Sequence, residues 1–317
     1  MASSPVTQET ANVPYEIIWG AWKRGQVIPF LGAGASFVGR PAGAKFNPRD
    51  PKFLPSGWDL SAYLATASNF PAKEDWERGD LAKVCSYYVE VQGDREELRY
   101  HLRDLLNRSY QPGPLHHFIA GIPSSQVIVV TNYDTLLEQA FLKAGKPYDL
   151  VVYPADRPDF ANALLWWPHG ATEPTPVEAN KLDIDLTKTT VIYKMHGTID
   201  PRTDEWDNFV ITEEDYVEFL SRMTRSAAVP SSFIEYFRNR RFLFLGYSLR
   251  DWNLRVVLNS LKRGSSASQE GKRSWSVQLN PSELERTLWK NKNVTIYDLT
   301  LDEFTAAIEQ TRRAIGD

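Results

Sequence analysis

QVIPFLGAGAS, residues 26–36, couples a short apolar run to a glycine-rich turn. A run of this length, bounded by Gly25 and Gly32, reads as a buried strand. Glycines at its carboxyl end permit a tight turn whose backbone N–H groups can face an anion. Three other stretches repeat the arrangement: QVIVVTNYD at 126–134, TTVIYKMHG at 189–197 and RRFLFLGYS at 240–248. In an open parallel sheet the loops after the strands gather at one edge, and ligands bind in that crevice. The four loops are therefore expected to build one site.

The rest of the chain extends this pattern. Further strands are expected at YDLVVYP (148–154), NALLWWP (162–168), SWSVQL (274–279) and VTIYDL (294–299). Helical patterns lie between them, among them DTLLEQAFLKAG, EEDYVEFLSRM, SSFIEYFRNR, DWNLRVVLNSLKR, PSELERTLWKN and LDEFTAAIEQTRRA. Such alternation predicts an α/β fold, a Rossmann-like and mostly parallel sheet with helices on both faces. From Trp58 to Tyr110 no strand pattern intervenes, so the domain, taken as 15–317, is expected to carry an inserted helical module at about 41–120. Within that module, Asp94 with Glu97 resembles a capping box. Residues 39–57 are rich in Pro and Gly and predict a loop that flanks or covers the first motif. Residues 1–14 are polar and read as a disordered N-terminus, and Gly25 ends the helical pattern VPYEIIWGAWKRG.

Composition narrows the function classes. The single cysteine, Cys85, excludes an intramolecular disulfide and a cysteine-rich zinc site. The first residues carry neither the basic start nor the apolar stretch of a signal peptide, and no apolar run approaches a membrane span, which points to the cytoplasm and away from the membrane. A net charge of −4 gives no global reason for direct nucleic-acid binding. The basic residues of LKRGSSASQEGKR (261–273) read as a solvated loop.

Each motif has a plain structural alternative. Gly32, Ala33, Gly34 and Ser36 suit a pyrophosphate, but G-x-G also ends many strands, and the third glycine of the dinucleotide fingerprint is missing, which disfavours an ordinary dehydrogenase. In Thr131-Asn132-Tyr133-Asp134, Asp134 can cap the next helix, while Asn132 is then left to point into the crevice and hold a ribose hydroxyl or a water. His196 suits proton removal near neutral pH, and Gly197 after it leaves room for a ligand. His169 carries the same His-Gly pair after an apolar run and competes with His196. Gly246, Tyr247 and Ser248 repeat the phosphate-friendly turn, with Asp251 as a helix cap. Asn280 ends another strand and either reaches the adenosine half of a dinucleotide or turns the chain. His101, His116 and His117 carry little functional weight.

In order, these segments resemble the sirtuin superfamily. GAGAS at 32–36 looks like its nucleotide loop, Asn132 and Asp134 match its T-Q-N-x-D motif, and His196-Gly197 looks like its His-Gly pair. Gly246-Tyr247-Ser248 matches its G-T-S loop, and Leu279-Asn280 its late strand end. The four zinc-ligand cysteines of protein-deacylating sirtuins are absent. T-N-Y-D-x-L-L-E, FLGYSLRDWN and VITEEDY (210–216) look instead like bacterial sirtuin-like effectors of anti-phage defence. The resemblance implies NAD as substrate, no metal, and hydrolysis to nicotinamide and ADP-ribose. It assigns His196 as general base, Asn132 as the group that positions water or ribose, and Asp134 as an orienter. The NAD contacts it implies are Gly32, Ala33, Gly34, Ser36, Thr131, Asn132, Asp134, Gly246, Tyr247, Ser248 and Asn280. It further implies a homo-oligomer and a regulatory partner such as an ATPase or nucleic-acid sensor, since little sequence beyond about 300 is left for a fused sensor. The alternatives are a zinc-free deacylase or ADP-ribosyltransferase, and a non-enzymatic NAD or ADP-ribose sensor.

Overall fold

A computed structural model of the chain describes residues 12–160, 163–224, 228–247 and 273–316. The first apolar run forms β1 (Val27–Leu31), buried at every residue, and the other runs form β2 (Val127–Val130), β3 (Asp149–Val152), β4 (Ala163–Trp167), β6 (Val191–Lys194), β9 (Arg241–Leu245), β10 (Ser274–Val277) and β11 (Val294–Tyr297). With β5 (Thr175–Glu178) they make a nine-stranded sheet in the order β11-β10-β9-β1-β2-β6-β3-β4-β5. From β11 to β3 all neighbours are parallel; β4 pairs antiparallel with β3, and β5 with β4.

Continuous apolar strands follow from burial on both faces. Val27 and Leu31 face a cluster with Trp19 and Trp22 of α1 (Tyr15–Lys23), Phe118 of α5 (Pro114–Ala120), Phe141 of α6 (Leu136–Lys143) and Phe304 of the helix Leu301–Ala314. Ile28 and Phe30 face the other side, with Phe219 of α7 (Glu213–Thr224), Phe233 and Phe237 of α8 (Ser231–Arg238) and Trp289 of the helix Glu283–Lys290. Gly25, at φ 65, ends α1 as its position suggests.

The helical stretch resolves into α2 (Gly57–Ala67), α3 (Leu81–Gln92) and α4 (Arg95–Leu106), with their own core of Leu64, Val84, Leu98 and Leu102. That core continues into Ile199, Phe209 and Ile211, which follow β6. A small hairpin, β7 (Gly197–Thr198) with β8 (Asn208–Phe209), lies between sheet and module. Asp94 caps α4 by accepting from the Glu96 N–H at 2.7 Å, while Glu97 approaches His101 at 3.5 Å; the expected reciprocal box is replaced by a one-sided cap. Arg95, Arg99 and Arg103, spaced one turn apart on α4, bind Asp215 and Asp156, Asp156, and Asp207 respectively.

β5 and the β7–β8 hairpin have no counterpart among the expected strands. TPVE is polar and carries Pro176, which a strand tolerates at a sheet edge and which hides it from an apolar pattern. The expected helix DWNLRVVLNSLKR and the basic loop 261–273 fall in or almost wholly in residues outside the described ones, as do residues 1–11.

Candidate active site

Strand register puts the four motif loops at one edge. Leu31 pairs with Val130 and with Leu245, and Val130 pairs with Lys194, so Gly32, Thr131, Gly246 and His196 all lie at or just beyond the carboxyl ends of adjacent strands. The chain passes from β1 to β2 and on to one side, then returns to β9 on the other. This is the switch point at which an open α/β sheet forms a crevice. A cavity of about 320 Å³ occupies it, lined by Ala33, Ser36, Thr131, Asn132, Asp134, His196, Gly246 and Tyr247, with Tyr216 and the loop residues Leu54–Gly57. A second cavity of about 500 Å³ adjoins it, sharing Phe37, Gly246 and Tyr247 and extending to Gln278 and Thr300.

Hydrogen bonds tie the first two loops together. The Asn132 amide donates to the Gly32 carbonyl (3.0 Å) and to Ser36 Oγ (2.9 Å), and the Ser36 hydroxyl donates to Asp134 Oδ2 (2.7 Å). Asp134 Oδ1 accepts the Leu136 N–H at the start of α6 (3.0 Å), so this carboxylate both caps and braces. Thr131 Oγ1 donates to the Leu31 carbonyl (3.1 Å).

The glycines serve a purpose that the sequence hid. Gly34 N–H donates to the Gly246 carbonyl at 2.9 Å, and Gly32 N–H to the Leu245 carbonyl at 3.1 Å. A Cβ on Gly246, whose φ is 68, would lie 2.2 Å from the Ala35 nitrogen; one on Gly32 would lie 2.6 Å from the Gly246 carbonyl. The first and fourth turns are thus in backbone contact, and Gly34's N–H is engaged rather than open to a phosphate. Residues Ala33–Phe37 form a short 3-10 turn.

His196 is 5% exposed. Its ring packs edge-on against Tyr216 (5.5 Å) and Phe219 (5.4 Å) of α7, and its carbonyl accepts the Val210 N–H (2.9 Å). Gly197 does not leave room for a ligand. Its φ of 88 and the Asn208 carbonyl, 2.1 Å from where a Cβ would sit, show that the hairpin fills that space. His169 is set apart by strand direction: β4 runs antiparallel, so its carboxyl end lies at the opposite edge of the sheet, where the His169 N–H donates to Asp149 (2.9 Å). Asn280 sits on an exposed turn at φ 51, its N–H donating to Asp298 (2.8 Å), and lines neither cavity. Ser248 and Asp251 lie outside the described residues.

Sequence reasoning missed the props behind the site. Lys194, fully buried, pairs with Glu138 (3.0 Å) and donates to the carbonyls of Tyr133 (3.2 Å) and Asp134. Burial raises the Glu138 carboxyl above its ordinary range even with Lys194 beside it. A lysine inside the apolar run VIYKM is the signal, because a fully buried lysine requires partners. Tyr133 donates from its hydroxyl to the Val210 carbonyl (2.7 Å), linking the second loop to the segment after His196. His116 accepts the Gly113 N–H through Nδ1 (3.1 Å), and burial pushes its pKa down to about 4. Cys85 is buried, and that burial pushes its thiol pKa up. Among the described residues, no cluster of three or more His, Cys, Asp or Glu side chains is arranged to hold a metal ion.

Sheet order, crevice and paired glycine turns define a Rossmann-like α/β domain with a site at its topological switch. The SIR2-like domain family model matches residues 126–297, and the chain belongs to that family. It is 22% identical over 282 residues to Defense-associated sirtuin 2 of Bacillus subtilis, covering 87% of this chain and 23% of that protein. It is 27% identical over 183 residues to NAD(+) hydrolase ThsA of Acinetobacter baumannii (strain 532279), covering 58% of this chain and 31% of that protein. With NAD(+) hydrolase ThsA of Bacillus cereus (strain MSX-D12) it shares 24% over 214 residues, covering 66% and 38%. The chain thus spans 23% to 38% of the length of these relatives.

Proposed function

We propose that this domain hydrolyses NAD at the nicotinamide–ribose bond, releasing nicotinamide and ADP-ribose. The observation that carries the reading is the convergence of Asn132, His196 and two glycine turns on one two-lobed cleft. The combined cavities, about 320 and 500 Å³ with a shared wall, have the dimensions of a dinucleotide site. Nicotinamide in NAD is already a cationic leaving group, so no strong acid is needed. As the C–N bond breaks, nicotinamide departs neutral, water forms the new C–O bond at the ribose, and His196 takes the water's proton. Asn132, fixed by Gly32 and Ser36, orients the ribose or the water, and Asp134 holds Ser36 in place. Tyr216 and Phe219 fix the His196 ring and limit water.

The names of the relatives, one defence-associated and others NAD(+) hydrolases, support an anti-phage role by NAD depletion. The reading includes a cytoplasmic homo-oligomer without a metal, restrained by the Pro/Gly-rich loop 39–57 and controlled by a partner such as an ATPase or nucleic-acid sensor. The test is incubation of the purified chain with NAD, resolving nicotinamide, ADP-ribose and cyclic products by chromatography. His196→Ala is expected to abolish turnover while the fold is retained, at some cost in melting temperature because the ring is buried, and Asn132→Ala to reduce turnover about 100-fold or more. Near-wild-type turnover in His196→Ala removes the assignment.

A further inference from the structure

Asn132 and His196 are carried by different strands, and the sheet stops fixing their separation before either is reached. Val130 pairs with Lys194, and the Met195 N–H donates to the Val130 carbonyl (2.9 Å); beyond these atoms β2 and β6 pass into their loops. A shift of about 1 Å between reacting groups can cost about 100-fold in rate, so whatever spans the two loops matters to the chemistry. Tyr133, next to Asn132, spans them with both its backbone and its side chain. Its carbonyl accepts the Ile199 N–H (3.1 Å) and Lys194 Nζ (3.2 Å), from residues on either side of His196. Its hydroxyl donates to the Val210 carbonyl (2.7 Å), and the Val210 N–H donates to the His196 carbonyl (2.9 Å). Two hydrogen bonds through one residue thus join the side chain beside Asn132 to the backbone of His196. The Tyr133 ring is seated edge-on against Phe209 of β8 (5.1 Å) and forms part of the first cavity's wall. Burial raises its hydroxyl above the ordinary value, so it stays protonated and donating through the neutral range.

We propose that Tyr133 is a positioning residue for NAD hydrolysis, setting the place of Asn132 against His196 through its hydroxyl; the proposal rests on the hydrolase reading above. A packed tyrosine hydroxyl usually finds a partner, and that alone assigns no role. Tyr110 and Tyr193 donate in the same way to the carbonyls of Leu105 (2.8 Å) and Ala228 (2.5 Å), and neither lines the cleft's cavities. Tyr133 differs because its acceptor belongs to the residue that holds His196. Since the hydroxyl is committed to Val210, removing it leaves the ring wall of the cavity in place and changes the geometry of the two loops.

The test is steady-state NAD turnover by Tyr133→Phe and Tyr193→Phe beside the wild type, with a melting curve for each. Both substitutions keep the ring and remove one hydroxyl bonded to a backbone carbonyl, so similar losses in melting temperature are expected. Tyr133→Phe should lower kcat about 10- to 100-fold with KM within about 2-fold, whereas Tyr193→Phe should leave both constants within about 2-fold. With Asn132→Ala already in place, Tyr133→Phe should cost less than about 3-fold more, because the group it places is gone. An unchanged kcat in Tyr133→Phe, an equal loss in Tyr193→Phe, fully multiplicative losses in the double variant, or a Tyr133→Phe chain that does not fold overturns the proposal. A wild type that releases no nicotinamide overturns the hydrolase reading and this proposal with it, so the two failures are read from different proteins.

Discussion

Gly246 shows how a single residue couples two loops. Its left-handed backbone and the 2.2 Å approach to Ala35 make a side chain costly twice over, once through strain and once through contact with backbone that cannot rotate away. Gly43 has a similar φ of 74 but open space around it, so it separates the two costs. Gly43→Ala should lose about 1 kcal/mol in urea unfolding; Gly246→Ala should lose several and, if it folds, should bind NAD poorly. Equal losses would show that the loops are not in contact. The sequence displayed Gly34 and Gly246, and their pairing became legible only through strand order, because no local pattern says that turns more than about 200 residues apart touch. Titration gives a second residue-scale expectation. Asp207, whose carboxyl burial raises to about 6 despite Arg103, holds its proton in the fold above its unfolded value. Its contribution is therefore full below pH 4 and lost as pH rises towards 6. His116, pushed down to about 4, behaves oppositely: its contribution is full above pH 6.5 and lost as pH falls towards 4. The two slopes oppose each other in one window. Asp207→Asn should make stability rise more steeply between pH 4 and 6, and His116→Gln should flatten or invert that rise, as read from urea midpoints across pH. Parallel curves for all three proteins would remove both assignments.

At the scale of elements, the α4 arginine row is the joint between module and site. Arg95 donates to Asp215 (2.7 Å), Asp156 (2.9 Å) and the Phe209 carbonyl (2.9 Å), and Asp215 accepts the N–H groups of Ile211 (2.9 Å) and Thr212 (2.8 Å) at the start of α7. That start sets where Tyr216 and Phe219 meet His196. Arg95→Ala leaves a buried carboxylate short of its cation and should cost about 3 kcal/mol. Turnover per folded molecule should fall mainly in kcat, since the NAD walls remain while the His196 support shifts; a pure rise in KM would contradict this. The sequence showed the helices of the module and most strands, because apolar periodicity and capping are local. It showed neither β5, whose Pro176 and polar residues mimic a loop, nor the direction of β4. Direction is what separates His196 from His169, since both follow apolar runs and both precede glycine; only pairing with β3 turns one of them to the far edge.

For the whole molecule, the question is what restrains such a site. The cleft is bounded by three bodies: the parallel sheet with its glycine turns, the hairpin and α7 around His196, and the segment Leu54–Gly57 leading into α2. Arg40 stacks over Phe37 (4.3 Å) and Phe53 (5.0 Å) and donates to the Leu54 carbonyl (2.6 Å), so the covering loop is fastened at the cavity's own wall. The matched region is 23% of the length of Defense-associated sirtuin 2 of Bacillus subtilis. A surface for control on this chain is best sought on the module, whose α4 arginines reach the segment that follows His196. We expect the isolated chain to hydrolyse NAD slowly and a partner bound to the module to accelerate it by moving that segment, an effect a partner can exert only through unequal affinity for the two states. Arg40→Ala, which frees the covering loop, should raise basal turnover without partner and reduce the further gain on adding it. Turnover by the chain alone, measured beside its mass from light scattering, decides: a fully active monomer whose rate Arg40→Ala leaves unchanged would place restraint outside this molecule altogether.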